Sequence, residues 1–488
     1  VETTQNLPKI NSANKTVCIL GAGISGLSLA YYLLEAGGWD ITIIEKQAQT
    51  GGNCRTFQVK LSDETLVPLE KPIHRWADMG VNDYNKSTYK HLNELMTATG
   101  YEEGLPLEDS EAYGNSSGTV CYTNDGKYFS QMSSDIARDA TRFEKEAYQD
   151  LQKKEYAYYT LGDYVTEKKY LKDFIFNNLY PRVNGMYFCA GAPEEMPFAA
   201  VMSYYSLQEG FGGTAKPDRR YFKGGTQSWI DSLVKKIHAM AGYDLLQTSI
   251  ESVIVGWSAH SKPTVTMNGL LRNYDAVVLA MHADDAIKSF GGSQMAPPEV
   301  LNELSRFEYI TDVSVAHTDS RVLHPQVNTW RTYNIHVYDF QNLYYGPYTI
   351  TYVGNRHQND SKNPVFNRTC ENPQFLISVN PAVNPNSSDV LLQLNGEPAS
   401  VGFRHQKLTL DTLRAQALIK KLQGKYGLYY ANGYTIGAGL HEECIINSLF
   451  ISQQMIGKPA TQQFHFNHAP DADQFAPDYI VNAHKNIS

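Results

Sequence analysis

Residues 21–46 read GAGISGLSLAYYLLEAGGWDITIIEK. Gly21, Gly23 and Gly26 stand in a G-x-G-x-x-G frame. The frame follows a short β-rich run, TVCIL at 16–20, and opens a stretch in which Leu27, Ala30, Tyr31 and Leu34 recur at helical spacing. Gly37-Gly38 ends that helix, and DITIIEK forms a second strand closed by Glu45. This is the layout of a β-α-β unit of about 30 residues.

Each glycine has its own task. Gly21 permits the tight turn out of the strand, Gly23 lets the backbone approach a pyrophosphate, and Gly26 lets the helix pack on the strand. Ala22, Ile24 and Ser25 complete the turn, whose helix start offers free N–H groups and a positive dipole end to phosphate. Glu45 lies about 20 residues further on, where a carboxylate accepts hydrogen bonds from adenosine ribose hydroxyls. An acid there disfavours a 2′-phosphate, so NADP does not suit this site. The pattern alone does not separate NAD from FAD.

The residues after Glu45 do separate them. Lys46 is followed by QAQTGGNCRTF, with Gly51-Gly52, Asn53, Arg55 and Thr56. Glu, a glycine pair and Arg-Thr at this spacing resemble the FAD fingerprint of the flavin amine oxidase superfamily. The resemblance places the glycine pair and Arg55 along the pyrophosphate and ribityl chain. Asn53 stands where related proteins carry His or Arg, so attachment through a histidine is not offered and the resemblance implies non-covalent FAD. DMGVNDYN at 78–85 resembles the segment that passes the flavin ring, with Met79, Gly80 and Val81 at the turn. LLQTSIESVIV resembles the strand beside the adenine, at Ile250, and residues 274–287 resemble the strand beneath the adenosine. GYTIGAGLHEECIINSL at 433–449 resembles the terminal flavin turn and helix, with Gly437, Gly439, His441 and Glu442 in a G-x-G-x-H-E frame.

A narrower resemblance is to polyenoic fatty-acid isomerases, with part of the pattern shared by cyclopiazonate-type dehydrogenases. It rests on His282, Asp284 and Ala286 and on SVAHTDSRVLHPQVNTWRTYN at 314–334, which holds His317, Thr318, Asp319, Pro325, Trp330 and Tyr333. It implies a lipophilic unsaturated substrate that gives a hydride to flavin N5 and takes it back at another carbon. Oxidation of an amine, amino acid or alkaloid is the alternative. His317 reads either as a histidine satisfied within a sheet or as a catalytic base, and Trp330 and Tyr333 read either as domain packing or as tunnel lining. His282 at a strand end reads as structural. No catalytic residue is assigned.

The 488 residues allow two domains, and 42% hydrophobic with 19% charged residues is an ordinary globular balance. A net charge of −9 argues against nucleic acid or an anionic membrane surface as the partner, since both demand a basic face. No run of about 18 apolar residues suits a transmembrane helix. The 33 tyrosines suit sheet packing, because tyrosine favours strands. Sequons begin at Asn14, Asn85, Asn115, Asn359, Asn367, Asn386 and Asn486, which with a chain starting at Val1 favours a secreted or lumenal, N-glycosylated protein. The six cysteines show neither C-x-x-C nor zinc spacing with histidines, so no metal site is expected. Cys18 reads as buried in the first strand; Cys121, Cys189 and Cys370 are disulfide candidates with the pairing open.

The fold class is α/β, α+β overall: a Rossmann-type FAD-binding domain interwoven with a sheet-plus-helices substrate domain. The FAD-binding part is expected at 14–90, 215–290 and 427–460. The substrate part is expected at 91–214 and 291–426, with a helical insertion near 133–210. Residues 354–370 are polar and read as an exposed loop. A homodimer is left open.

Overall fold

The computed structural model describes residues 13–60, 74–107, 110–114, 120–123, 134–151, 153–187, 192–209, 217–337, 348–358, 375–381 and 383–457. A five-stranded, all-parallel sheet carries the opening motif. Its order is Leu246–Gln247, Trp39–Ile44, Lys15–Leu20, Ala276–Leu279 and Leu428–Tyr430. Such a sheet is covered on both faces, and its strands alternate between two cores. Val17 and Ile19 join one apolar cluster with Ile41, Ile43 and Val278. Cys18 and Leu20 join the other with Ile44, Val277 and Leu279.

Helices Ile24–Ala36, Lys90–Thr99, Thr226–Ala241 and His441–Ile456 cover the first face. The antiparallel meander Val253–Gly256, Thr264–Met267, Leu270–Asn273 and helices Ala283–Ser289, Pro298–Leu304 and Leu410–Leu422 cover the second. The result is a three-layer α/β body with a Rossmann-type centre. Its strands come from the beginning, middle and end of the chain.

A seven-stranded mixed sheet forms a second body, in the order Ser400–Gln406, Tyr309–His317, Leu376–Val379, Tyr348–Val353, Tyr333–Val337, Glu111–Gly114 and Val120–Thr123. Only the pairing of Tyr333–Val337 with Glu111–Gly114 is parallel. Beside it lies a helical unit, Ser134–Leu151, Leu161–Glu167, Tyr180–Tyr187 and Phe198–Glu209, with a π-helical turn at Ile175–Leu179. Its core is aromatic: Phe143, Tyr156, Tyr164, Tyr170, Phe174, Phe198 and Tyr205 pack together, and Tyr164 stacks on Phe198 at 4.0 Å between centroids. The tyrosines expected to serve sheets are therefore shared with helices. Rings that meet edge to face or stacked, as these do, bury large apolar area between helices as well as between strands.

Two further expectations are corrected. Residues Gly354–His357 form a helical turn rather than exposed loop, with His357 and Gln358 buried. The Gln358 amide donates to Trp76 O at 2.9 Å, and a Cβ on Gly354 would stand 2.3 Å from the Phe375 ring. Residues 359–370 lie outside the described residues. Asn85 cannot serve as a glycan acceptor on the folded surface. It is fully buried, and its amide donates to the carbonyls of Leu207 and Gln208 at 3.0 and 3.1 Å. Asn386 is exposed, Asn14 is half-buried, and Asn115, Asn359, Asn367 and Asn486 lie outside the described residues. Cys18, Cys54 and Cys444 are buried free thiols; Cys189, Cys370 and the side chain of Cys121 lie outside the described residues.

Candidate functional site

Where the first strand meets the first helix, Gly21 N–H donates to Ile44 O at 2.8 Å. A Cβ on Gly21 would stand 2.4 Å from Ala280 O, and one on Gly26 would stand 2.0 Å from Gly21 O. Backbone contact within the protein thus accounts for these two glycines. Gly23 differs: its φ of −75° and ψ of 178° suit any residue, and no atom lies within 4 Å of where its Cβ would be. Nothing in the described protein demands a glycine there. A phosphate seated on the helix start does, because only a bare backbone lets it approach. Glu45 is buried and spans the same turn, accepting from Ala22 N–H at 2.7 Å and Gln47 N–H at 2.8 Å. Each carboxylate oxygen keeps lone-pair capacity for a ribose hydroxyl. Donor N–H groups, an unfilled glycine position and a buried acid together fit a dinucleotide.

The second glycine turn is strapped to the first: Gly51 N–H donates to Ala22 O at 2.8 Å, and Gly23 bridges Gly51 in parallel. Arg55 donates to the Gln49 side chain at 2.7 Å, and Lys46 and Gly52 are exposed. Residues 53–55 in turn hold 79–81. Met79 N–H donates to Arg55 O at 2.9 Å, Val81 N–H donates to Asn53 O at 3.2 Å, and a Cβ on Gly80 would stand 2.2 Å from Asn53 O. Ile250, buried, donates its N–H to Glu45 O at 3.1 Å.

Asp78 was not singled out from the sequence. It lies inside DMGVNDYN, where alternation in the strand His74–Asp78 gave no sign of its burial. Its Oδ1 accepts from Thr56 Oγ1 at 2.5 Å and Thr226 N–H at 2.8 Å, closing the start of helix Thr226–Ala241. Burial pushes its carboxyl up to about 7, against the pull of Thr56 and Thr226.

The terminal turn reaches the same place. Gln416 donates to Gly437 O at 2.9 Å, and a Cβ on Gly439 would stand 2.7 Å from Gly433 O. His441 and Glu442 begin the last helix, both buried. His441 Nε2 accepts from the Trp229 indole N–H at 3.2 Å, and its Nδ1 lies 3.7 Å from Cys54 Sγ. Glu442 takes His91 N–H and Leu92 N–H at 2.8 and 2.9 Å. Ser448 Oγ donates to Ser25 O at 2.8 Å, tying the last helix to the first. Residues 21–26, 45, 51–55, 79–81, 250 and 437–442 are therefore linked by direct contacts, mostly through backbone.

Beyond the 79–81 turn stands the seven-stranded sheet. Phe403 lies 3.2 Å from a Cβ position on Gly80, and Met79 shares an apolar cluster with Phe403, Tyr333, Tyr352 and Ile377. Behind it runs a buried charge network. Arg219 Nη2 meets Asp83 Oδ2 at 3.1 Å and its Nη1 lies 3.6 Å from Glu111 Oε1. Its guanidinium sits 4.7 Å from the Tyr333 ring centroid, and Tyr333 Oη donates to Asp83 at 2.5 Å. Burial alone would raise the Asp83 carboxyl, but Arg219, His357 and Tyr333 together outweigh it and hold the group well below the usual range.

His317 is fully buried within the sheet, with Nε2 2.8 Å from Ser378 Oγ and Nδ1 accepting from Asp319 N–H at 3.1 Å. Its ring is spent on neighbours. Trp330 donates to His324 O at 2.6 Å and packs with Val322, Leu323, Val353 and Leu376. His282 stands at the residue before helix Ala283–Ser289, makes no side-chain capping bond there, and stacks on Tyr309 at 4.6 Å. Among the described residues, His282, Asp284 and Asp285 gather ligand atoms within 4.8 Å of one another. Arg404 and Lys288 already pair with both carboxylates there.

In the helical unit an open cavity of about 820 Å³ is lined by Tyr159, Phe176 and Tyr180 and by Asp163, Glu167 and Glu194. Burial, and then the neighbouring Glu195, push the Glu194 carboxyl up to about 7.

Residues 19–95 match the NAD(P)-binding Rossmann-like domain. An L-amino acid oxidase of Crotalus durissus cumanensis is 36% identical over 97 residues, which is 20% of this chain and 18% of that protein. One from Siganus canaliculatus is 32% identical over 122 residues, 22% of each. The matches thus span about a fifth of these curated relatives. Solved structures match far more of the chain. A CLA-producing fatty acid isomerase from P. acnes superposes with a TM-score of 0.62 at 15% identity, covering 93% of this chain and all of the other. Cyclohexylamine oxidase from Brevibacterium oxydans gives 0.56 at 14% identity, covering 91% and 99%. Putrescine oxidase bound to putrescine gives 0.56 at 12% identity, with the same coverage.

Proposed function

We propose that this chain, which has the fold of the FAD-dependent oxidases and of the fatty acid isomerase, is an FAD enzyme that shifts double bonds in polyunsaturated fatty acids. The FAD-binding part is drawn from 14–90, 215–290 and 427–460, and the substrate part from 91–214 and 291–426. The glycine turns at 21–26 and 51–52 receive the pyrophosphate, Glu45 the ribose, and the 79–81 turn the ring edge. Asn53 offers no nucleophile, so the cofactor is held without a covalent bond. When bound, the flavin supplies a hydride acceptor and donor at N5.

The observation that carries the isomerase reading is the wall beside Gly80. Phe403, Tyr352 and Met79 present an apolar, aromatic surface, the charges behind it are matched inside the Asp83–Arg219–Glu111–Arg182 network, and His317 is committed to the sheet. Moving a hydride out and back needs an apolar slot and exclusion of water rather than a base. Incubation of the yellow protein with linoleate or arachidonate should build the ultraviolet absorbance of a conjugated diene or triene with no oxygen uptake. Peroxide from amines or amino acids, with no change in the lipids, would overturn it.

The acidic, aromatic cavity in the helical unit favours a second reading, oxidation of an amine or amino acid. Asp163, Glu167, Glu194 and Glu195 in its lining outnumber the one cation, Lys172, which favours cationic substrates over fatty-acid carboxylates. The same assay separates the two.

No helix among the described residues is long and apolar enough to cross a membrane. A secreted or lumenal setting, with a glycan on the exposed Asn386, is part of this proposal.

A further inference from the structure

We propose that His441 is a positioning residue: a neutral pin that locks three cofactor-binding segments in register without itself meeting the cofactor. The inference rests on the flavin reading above. His441 opens the last helix and is 7% exposed. One ring nitrogen faces Trp229, on the helix whose start is closed by Asp78 and Thr56; the other faces Cys54, two residues beyond the Gly51-Gly52 turn.

The partners fix the ring's state. An indole N–H can only donate, so Nε2 must be the bare acceptor. The proton then sits on Nδ1 and points at the Cys54 sulfur, a weak acceptor. A doubly protonated ring would set two N–H donors head to head at 3.2 Å. Burial pushes the ring down to about 3 and the Cys54 thiol well above its ordinary range, so both stay neutral. The helix start therefore keeps its own dipole potential with no added charge from the ring.

Glu442 completes the clamp by gripping the helix that begins at Lys90. The two side chains pull the same helix start toward different neighbours. The Gly437–Gly439 turn leads directly into this pinned helix start, with Ala438 and Gly439 half-buried, and is the part that a flavin edge would meet.

The test uses purified holoprotein and FAD release on dilution, followed by flavin fluorescence. His441→Ala removes both contacts, and Trp229→Phe removes the donor. His441→Gln restores an acceptor at the reach of Nε2. We expect His441→Ala and Trp229→Phe to bind FAD at least 10-fold more weakly, His441→Gln to recover most of the loss, and the visible circular dichroism of the bound flavin to follow the same order. Nitrogen-15 shifts of His441 in the wild type should report a neutral ring protonated on Nδ1. Equal FAD retention by wild type and His441→Ala, failure of Gln to rescue, or a ring protonated on Nε2 would overturn the pin. A wild-type protein that takes up no FAD would instead overturn the flavin reading, while the nitrogen-15 measurement would still decide the state of the ring.

Discussion

Glu442 and His91 are joined by two hydrogen bonds into one carboxylate oxygen: His91 N–H and Nδ1 both lie 2.8 Å from Glu442 Oε1. The other oxygen takes Leu92 N–H at 2.9 Å. A side chain near the end of the chain thus caps a helix formed near its beginning, and both partners are almost fully buried.

Replacing Glu442 by Ala should take the acceptor from three buried donors, His91 N–H, His91 Nδ1 and Leu92 N–H, and cost on the order of 3 kcal/mol, whereas Gln, which keeps an acceptor, should cost about 1 kcal/mol. Urea unfolding of the three proteins checks this. Equal stability of the Ala variant and the wild type would show that water replaces the carboxylate.

Gly23 and Gly26 should respond in opposite ways to alanine. Gly26→Ala forces a Cβ to 2.0 Å from Gly21 O and should destabilise the protein whether or not FAD is present. Gly23→Ala meets no protein atom within 4 Å and should leave the melting temperature of the flavin-free protein within a few degrees of wild type. It should nevertheless weaken FAD binding by roughly 100-fold, about 2.7 kcal/mol. Melting curves with and without FAD separate the two, and a Gly23→Ala variant that binds FAD normally would move the pyrophosphate elsewhere.

Asp78 should make stability depend on pH. Its carboxyl is raised from 3.8 to about 7, so its stabilising share is full below pH 4 and fades as pH rises through 7. Asp78→Asn keeps an acceptor for Thr226 N–H and removes the titration. The stability of the Asn variant relative to wild type should therefore climb between pH 4 and pH 7, by up to about 4 kcal/mol, and level off above pH 7. A difference that stays flat across that range would place the Asp78 titration at its ordinary value.

Arg219 should behave as the counter-charge of a buried acid pair. Arg219→Met removes the guanidinium that both Asp83 and Glu111 face, leaving Asp83 to Tyr333 and His357 and Glu111 to Tyr113 and Arg182, and should cost about 3 kcal/mol at pH 7. Because Asp83 is held below the usual range, its pairing stabilises the protein above pH 4 and is lost as pH falls further. The penalty of the variant should therefore shrink on acidification, and chemical unfolding at pH 7 and pH 3 would reveal a constant penalty if the pairing were inert.

The Rossmann centre was legible because its rules are local. Val17 and Ile19 against Cys18 and Leu20 alternate as a strand buried on both faces must, and Gly21 and Gly26 report backbone contacts that no side chain could share. The turn at 437–442 was legible as a pattern, but the direction of its side chains was not. His441 and Glu442 face Trp229 and His91, partners hundreds of residues away that no local period announces. Asp78 and the Asp83–Arg219–Glu111 network escaped for the same reason: a buried charge and a solvated one look alike until the fold supplies the neighbour. His357 was hidden by polar flanks, though its own position is buried.

The parallel sheet whose outer strand is Leu428–Tyr430 also dictates an order of events during synthesis. Lys15–Leu20 and Trp39–Ile44 emerge first and must wait, edge exposed, for Ala276–Leu279 and then for the final strand and helix. Pairing across such separations is slow and leaves sticky intermediates. The last helix, His441–Ile456, must therefore be made before the Gly21–Gly26 turn has its walls. A chain cut before Leu428 loses both that strand and that helix, and should fail to fold although its first two strands are intact.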